Sequence, residues 1–106
     1  MICVSESEMA AILRVIKTHA SDCDVLAFGS RYKWTSKDHS DLDLVFIGGE
    51  KLTLLRRAKI EEAFSESDLP YRVDVVDYNA VSPEFKAIID SGNELIYKKP
   101  LKNKDD

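Results

Sequence analysis

The sequence contains very little cysteine. Among its 106 residues only Cys3 and Cys23 carry a thiol, and they lack the C-x-x-C spacing of a metal-binding pair. Two thiols are too few for a disulfide-rich secreted scaffold. We therefore interpret both as reduced, structural cysteines of a cytoplasmic protein, with a disulfide between them as the less favoured alternative.

Long apolar runs are also absent. No stretch approaches the ~20 apolar residues that a membrane span requires, so we expect no association with a membrane. The amino-terminal sequence MICVSESEMA lacks the basic start and the extended apolar stretch of a signal peptide. Both absences agree with a cytoplasmic location.

The chain has no excess of basic residues, because 15 Lys and Arg stand against 19 Asp and Glu, a formal charge of −4. This charge argues against a general nucleic-acid binder, and we expect no direct binding of nucleic acid. It remains compatible with one phosphorylated ligand.

The length fits one domain with one modest core. With 44% apolar and 32% charged residues, the composition is that of an ordinary globular protein. No internal repeat, low-complexity segment or linker divides the chain. We expect a single domain over residues 1–98, followed by a charged tail at 99–106 that frays.

Capping residues mark where helices begin and end. Ser5 and Glu8 form a capping-box pattern, after which apolar residues recur at helical spacing. Near the carboxyl end, Ser82 suits an N-cap, Pro83 the first turn and Gly92 the C-cap. Short apolar runs stopped by glycine or proline indicate strands between the helices. The predicted elements are a helix at 5–20, strands at 24–28 and 41–47, a helix at 50–67, a strand at 71–78, a helix at 82–92 and a strand at 93–97.

The order of these elements is α-β-β-α-β-α-β. Such an order predicts an α+β fold, a single small mixed β-sheet with the helices packed mainly on one face.

Three carboxylates interrupt strands that are otherwise apolar. In SDLDLVF, side-chain alternation places Asp41 and Asp43 on one face while Leu42 and Leu44 point to the other. Two adjacent carboxylates are tolerated in a strand if their face is wet or if a cation lies between them. Oxygen ligands of this kind suit Mg²⁺, with Mn²⁺ as the alternative. Asp74 would complete a cluster of three if its strand pairs beside the first.

A three-carboxylate cluster can hold two metal ions ~4 Å apart and support an in-line phosphoryl displacement. One metal would sharpen the nucleophile, for which Asp74 would be the natural base. The other metal would carry a triphosphate. The cluster therefore predicts a two-metal site for phosphoryl transfer.

The turn before this strand supplies groups that suit phosphates. Gly29 permits close backbone approach, and Ser30 offers a hydroxyl and a backbone N–H group. Arg31 and Lys33 can add positive charge to the same phosphates. We predict that these four residues bind a nucleotide.

Each feature taken alone has a simpler interpretation. A Gly-Ser pair is most often only a turn, and acids two residues apart are most often the wet face of an edge strand. Asp77 is expected to cap a turn, and Arg56, Arg57 and Lys59 to form a solvated helix face. The combination of Gly-Ser, a polar spacer, D-x-D in an apolar strand and a third acid in another strand is far less common.

These residues resemble a known family. The pair GS, followed by ten residues and DLD, with VDVVD downstream, resembles the minimal nucleotidyltransferase (MNT) antitoxins of the DNA polymerase β-like superfamily. The resemblance covers nearly the whole chain and implies the polymerase β-like palm fold. It implies that Gly29 and Ser30 bind nucleotide phosphates, that Asp41 and Asp43 hold Mg²⁺, and that Asp74 is the third carboxylate and base.

The chain departs from the family at the phosphate loop. Many relatives read G-S-R-A-R-G, whereas this sequence reads G-S-R-Y-K-W. Lys33 therefore stands in place of the second arginine, and Trp34 replaces a glycine.

The resemblance also implies a reaction and a partner. Larger relatives carry a helical domain that shapes the acceptor site, and we expect this surface to be supplied in trans because the chain ends before such a domain. In the family the partner is a HEPN RNase toxin, which some MNT antitoxins silence by transferring AMP from ATP to one of its tyrosines. The same activity is expected here.

Two alternatives stay open. An antitoxin of the same fold could mask a HEPN partner without chemistry, although a pure binder has no need of three carboxylates on one face. The enzyme could instead transfer a nucleotide to a small molecule. A P-loop NTPase is a poor fit, since no G-x-x-x-x-G-K-[ST] motif is present.

Overall fold

The computed structural model describes residues 4–29 and 41–100, and in this part of the chain the predicted order of elements is confirmed. A short 3₁₀ helix between the third strand and the third helix is the one addition. The elements are α1 (Glu6–His19), β1 (Asp24–Phe28), β2 (Leu42–Ile47), α2 (Leu54–Ser65), β3 (Val73–Asp77), the 3₁₀ helix (Tyr78–Ala80), α3 (Pro83–Asp90) and β4 (Glu94–Tyr97).

The four strands form one mixed sheet in the order β3-β2-β1-β4. β1 pairs antiparallel with β2 and with β4, whereas β2 and β3 are parallel and are connected through α2. The register sets Asp43 of β2 opposite Phe28 of β1 on one side and opposite Asp74 of β3 on the other. β3 is therefore an outer strand of the sheet, and it carries the third predicted acid.

The helix starts follow from their caps. The capping box of α1 is confirmed, because Ser5 Oγ accepts from the Glu8 N–H group while the Ser5 N–H group donates to Glu8 Oε1, at 3.1 and 3.0 Å. Helix α2 begins four residues later than predicted, because Thr53 is its N-cap. The C-cap of α3 is Ser91 and not Gly92, since the Ser91 N–H group binds the Ala87 carbonyl and its hydroxyl the Ile88 carbonyl.

Alternate residues of the strands build the main core on one face of the sheet. Leu42, Leu44 and Phe46 of β2 are fully buried there. They pack in one cluster with Ile12 and Ile16 of α1 and with Ile60 and Phe64 of α2. Each such buried aliphatic or aromatic side chain contributes about 1.5–3 kcal/mol to folding.

Helix α3 covers the opposite face through a smaller cluster. Ile89 is buried there with Phe28 and Val45. The rings of Phe28 and Phe85 meet edge to face, with centroids 5.9 Å apart. The prediction of an α+β fold with a small mixed sheet and helices mainly on one face is confirmed, and α3 is the helix on the second face.

Asp77 fixes the end of β3. It is buried, and its carboxylate accepts hydrogen bonds from the Leu52 N–H group at 2.8 Å and from the Asn79 N–H group at 3.1 Å. The expectation that Asp77 caps a turn is thus confirmed. Asn79 in turn donates to the Gly48 carbonyl at 3.0 Å, so the loop that leads from β2 into α2 is held against the sheet.

The end of the described chain is tied to β1. The Lys99 N–H group donates to Asp24 Oδ1 at 2.9 Å, and Lys98 Nζ lies 3.3 Å from Asp24 Oδ2. The rest of the predicted tail, residues 101–106, lies outside the described residues. In the part of the chain that the structure describes, no helix is long and apolar enough to cross a membrane.

Candidate active site

The sheet brings two of the three predicted carboxylates together. Asp43 and Asp74 are direct partners in the parallel register of β2 and β3, and therefore point to the same face of the sheet. That face is the one covered by α3, and Phe28 and Phe85 border the same cavity as the two acids. Unlike the core residues on either side, both acids are only half-buried.

The negative charges of the neighbouring carboxylates repel one another. The pKa of Asp43 is raised to about 6, first by burial and then by its hydrogen bond to Asp74 and by the negative charges of Asp74 and Asp41. Arg72 acts in the opposite direction. A cation bound beside these two carboxylates would reduce their repulsion and favour the ionised form of both.

Gly29 ends β1 against this pair. Its φ angle is +83°, in the left-handed region that other residues rarely adopt. A Cβ atom at this position would overlap Oδ2 of Asp43 and lie 3.3 Å from its Cγ. Both the conformation and the close approach therefore require glycine here.

Arg72 is a site residue that the sequence analysis missed. Its Nε and Nη2 atoms both donate to Oδ1 of Asp74, at 3.1 and 2.8 Å. Nη2 also lies 3.7 Å from Oδ2 of Asp41. Its position two residues before Asp74 was the available signal, because it places both side chains on one face.

A cavity of about 430 Å³ lies open beside Asp43 and Asp74, and a second cavity of about 480 Å³ adjoins it along the edge of β3. Asp74 and Glu61 border both cavities. Arg72 borders the second one. The site is therefore open to solvent on the side of the outer strand.

The predicted solvated face of α2 is confirmed for Arg57 and Lys59, which are exposed, whereas Arg56 is half-buried. The two arginines of α2 also form hydrogen bonds to other elements. Arg56 forms a fork with Asp22 and donates to the His19 carbonyl, which joins α2 to the end of α1. Arg57 borders the smaller cavity and donates to the Val75 carbonyl at 2.9 Å.

The carboxylates of this site are of the kind that holds a metal ion in proteins. Among residues 4–29 and 41–100, no three His, Cys, Asp or Glu side chains already converge into a metal site. Asp43 and Asp74 are adjacent, however, and a cationic guanidinium links Asp74 to Asp41. An oxygen-only donor set with excess negative charge suits Mg²⁺ or Mn²⁺, so the residues fit a divalent cation.

The predicted phosphate-binding residues are described only in part. Gly29 lies beside Asp43, as reported above. Ser30, Arg31 and Lys33 lie outside the described residues.

Known proteins of similar sequence identify the family of the chain. The sequence model of the family described as "Polymerase beta, Nucleotidyltransferase" matches residues 11–101. The chain is 44% identical over 86 residues to a Haemophilus influenzae protein named as a probable protein adenylyltransferase, MntA, and this match covers 81% of the chain and 75% of that protein. The chain therefore belongs to the polymerase β nucleotidyltransferase family.

Solved structures share its fold. A toxin–antitoxin structure with AMP-PNP matches at a TM-score of 0.74 with 18% identity, over 84% of this chain and 72% of that one. A complex of a tri-AMPylated Shewanella oneidensis HEPN toxin with its MNT antitoxin matches at 0.67 with 16% identity, over 87% and 71%. At these identities the likeness establishes the fold.

Proposed function

We propose that this chain is the antitoxin of a cytoplasmic HEPN/MNT pair and that it transfers AMP from ATP to a tyrosine of its HEPN partner. The observation that carries the proposal is the adjacency of Asp43 and Asp74 on parallel strands, with the bare backbone of Gly29 against Asp43. The 44% identity to a protein named as an adenylyltransferase supports the same chemistry. Related structures with AMP-PNP and with a tri-AMPylated HEPN toxin support the substrate and the partner.

Asp41, Asp43 and Asp74 would hold Mg²⁺, at two positions, with Mn²⁺ as the alternative. The metal would neutralise negative charge on the triphosphate oxygens and so make the attacked phosphorus more electrophilic. Gly29, whose backbone lies against Asp43, would let the chain approach the nucleotide phosphates closely. Ser30, Arg31 and Lys33, within the next four residues of the sequence, would bind the same phosphates.

Asp74 is the proposed base. It accepts the proton of the tyrosine hydroxyl, and the tyrosine oxygen attacks the α-phosphorus of ATP. The bond from that phosphorus to the oxygen bridging the α- and β-phosphates breaks, and pyrophosphate leaves. Because Asp74 lies on the outer strand beside an open cavity, an acceptor held by a second protein can reach it from solvent.

The test is the intact mass of the HEPN protein encoded beside this chain, after incubation with the chain, ATP and Mg²⁺. We expect mass increments of one AMP each, and their loss with Asp43→Asn. Asp68→Asn is the matched control, because Asp68 is an exposed acid that borders neither of the two cavities, and this variant should transfer AMP normally.

The same experiment separates catalysis from masking. An unmodified partner that still forms a stable complex with both the unmutated chain and Asp43→Asn would contradict the proposal and support an antitoxin that acts by binding alone.

A further inference from the structure

We propose that Arg72 is the resident counter-ion of the metal-free site, and that a divalent cation binds by displacing its guanidinium from Asp74 and Asp41. This inference rests on the proposed metal site and adds a residue that controls how readily the site is filled. Arg72 is a positioning residue in this account, because it acts through the carboxylates.

The geometry places the guanidinium where a cation would bind. Two of its nitrogens share Oδ1 of Asp74, and one of them also faces Oδ2 of Asp41. The carboxylates of Asp74 and Asp41 would help to hold the metal. The guanidinium and the metal would therefore compete for the same carboxylates.

The backbone explains why Arg72 reaches both acids. Its carbonyl accepts the Leu42 N–H group at 2.9 Å, which aligns the residue beside the start of β2, next to Asp41. Its side chain shares a face with Asp74, two residues further along β3. The parallel pairing of β2 and β3 thus sets Arg72, just before β3, beside Asp41, just before β2, and beside Asp74 within β3.

The contact is suited to exchange. The Arg72 side chain is 74% exposed, and exposed ion pairs are weak because water screens both charges. It also borders the cavity of about 480 Å³, so the released side chain has room to move without disturbing the core. A doubly charged ion can therefore replace it at little cost.

The test compares Mn²⁺ affinity, measured by the electron paramagnetic resonance of free Mn²⁺, in the unmutated chain and in three variants. We expect Arg72→Gln to bind Mn²⁺ about threefold to tenfold more tightly, since it removes a competing cation, and Arg72→Lys to fall between the two. Arg57→Gln is the matched control. Arg57 is a cation that borders the cavity beside Asp43 and Asp74, but it donates to the Val75 carbonyl and not to these carboxylates. Its affinity should change by less than that of Arg72→Gln.

Thermal unfolding gives a second readout that does not depend on activity. In EDTA, Arg72→Gln should unfold at a lower temperature than the unmutated chain, because the carboxylates lose their counter-ion. With saturating Mn²⁺ the difference should close or reverse, because neither protein then uses the arginine contact.

The outcomes are distinguishable. Equal or weaker Mn²⁺ binding by Arg72→Gln, or an equal gain in Arg57→Gln, would overturn displacement while leaving the metal site intact. Absence of Mn²⁺ binding by every protein, including the unmutated chain, would overturn the metal site itself and the inference with it.

Discussion

Oδ2 of Asp43 occupies the space that a Cβ atom at Gly29 would take. The glycine that follows β1 and a carboxylate of β2 are thus in close contact. A side chain at Gly29 would have to displace the carboxylate, and so would disturb the position of Asp43 relative to Asp74.

Gly29→Ala should therefore impair both folding and transfer. The left-handed conformation alone costs about 1–2 kcal/mol for a residue with a Cβ atom, and the overlap with Asp43 adds to this cost. Urea unfolding and the AMP-transfer assay would measure the two effects. Gly49→Ala is the control, because nothing lies within 4 Å of its added Cβ. A Gly29→Ala protein as stable and active as that control would contradict the assigned close approach.

Asp77→Ala should destabilise the fold by about 2–4 kcal/mol, because it leaves the N–H groups of Leu52 and Asn79 without their acceptor. The measurement is the free energy of unfolding from urea titration, with Asp68→Ala as the exposed control. A loss no larger than in the control would show that the buried carboxylate is dispensable for the fold.

The Asp22–Arg56 pair should make stability depend on pH in the acid range. The hydrogen bond from Arg56 is the largest cause that lowers the pKa of Asp22 below its usual value. A lowered folded-state pKa gives stability that is present above the unfolded pKa of about 3.9 and is lost as the pH falls through the lower, folded value.

Asp22→Asn should therefore be less stable at pH 7, by at most about 1 kcal/mol because the pair is partly exposed. The gap from the unmutated chain should narrow below about pH 4. Urea midpoints measured from pH 7 to pH 2 would follow it, with Glu62→Gln as the control. A gap that stays constant across this range would show that the carboxylate charge is irrelevant.

Cys23 should resist thiol reagents while the protein is folded. Its thiol is free and fully buried, and burial, followed by the charge of Asp22, raises its pKa. Because the thiolate is the reactive form, iodoacetamide at pH 8 should modify the Cys23 peptide only after urea is added. Rapid modification in native buffer, read by peptide mass mapping, would contradict the buried assignment.

Much of the fold could be predicted from local signals. Ser5 and Glu8 determine the start of α1 through contacts three residues apart, and Gly29 stops β1 within its own neighbourhood. The start of α2 was predicted too early because Glu50 and Lys51 are compatible with a helix by composition. The hydrogen bond from the Arg56 N–H group to the Thr53 side chain shows where the helix begins.

The site was predictable only in its components. The sequence indicates that Asp41 and Asp43 share a face, since two residues of one strand decide this. The adjacency of Asp74 depends on which strands pair and in what register, which is set by the packing of the whole sheet. The spacing of Arg72 from Asp74 was a sequence signal for their contact, but the contact of Arg72 with Asp41 depends on the strand pairing.

The hydrogen bond from Arg57 to the carbonyl of Val75, on the outer strand β3, affects how the chain could associate with itself. An outer strand with unused backbone groups is a template on which another copy of the chain can add a strand. Arg57 fills one of those positions with a charged group that an incoming strand would have to expel. Asp74 can thus remain accessible on the outer strand, while Arg57 protects that strand against aggregation.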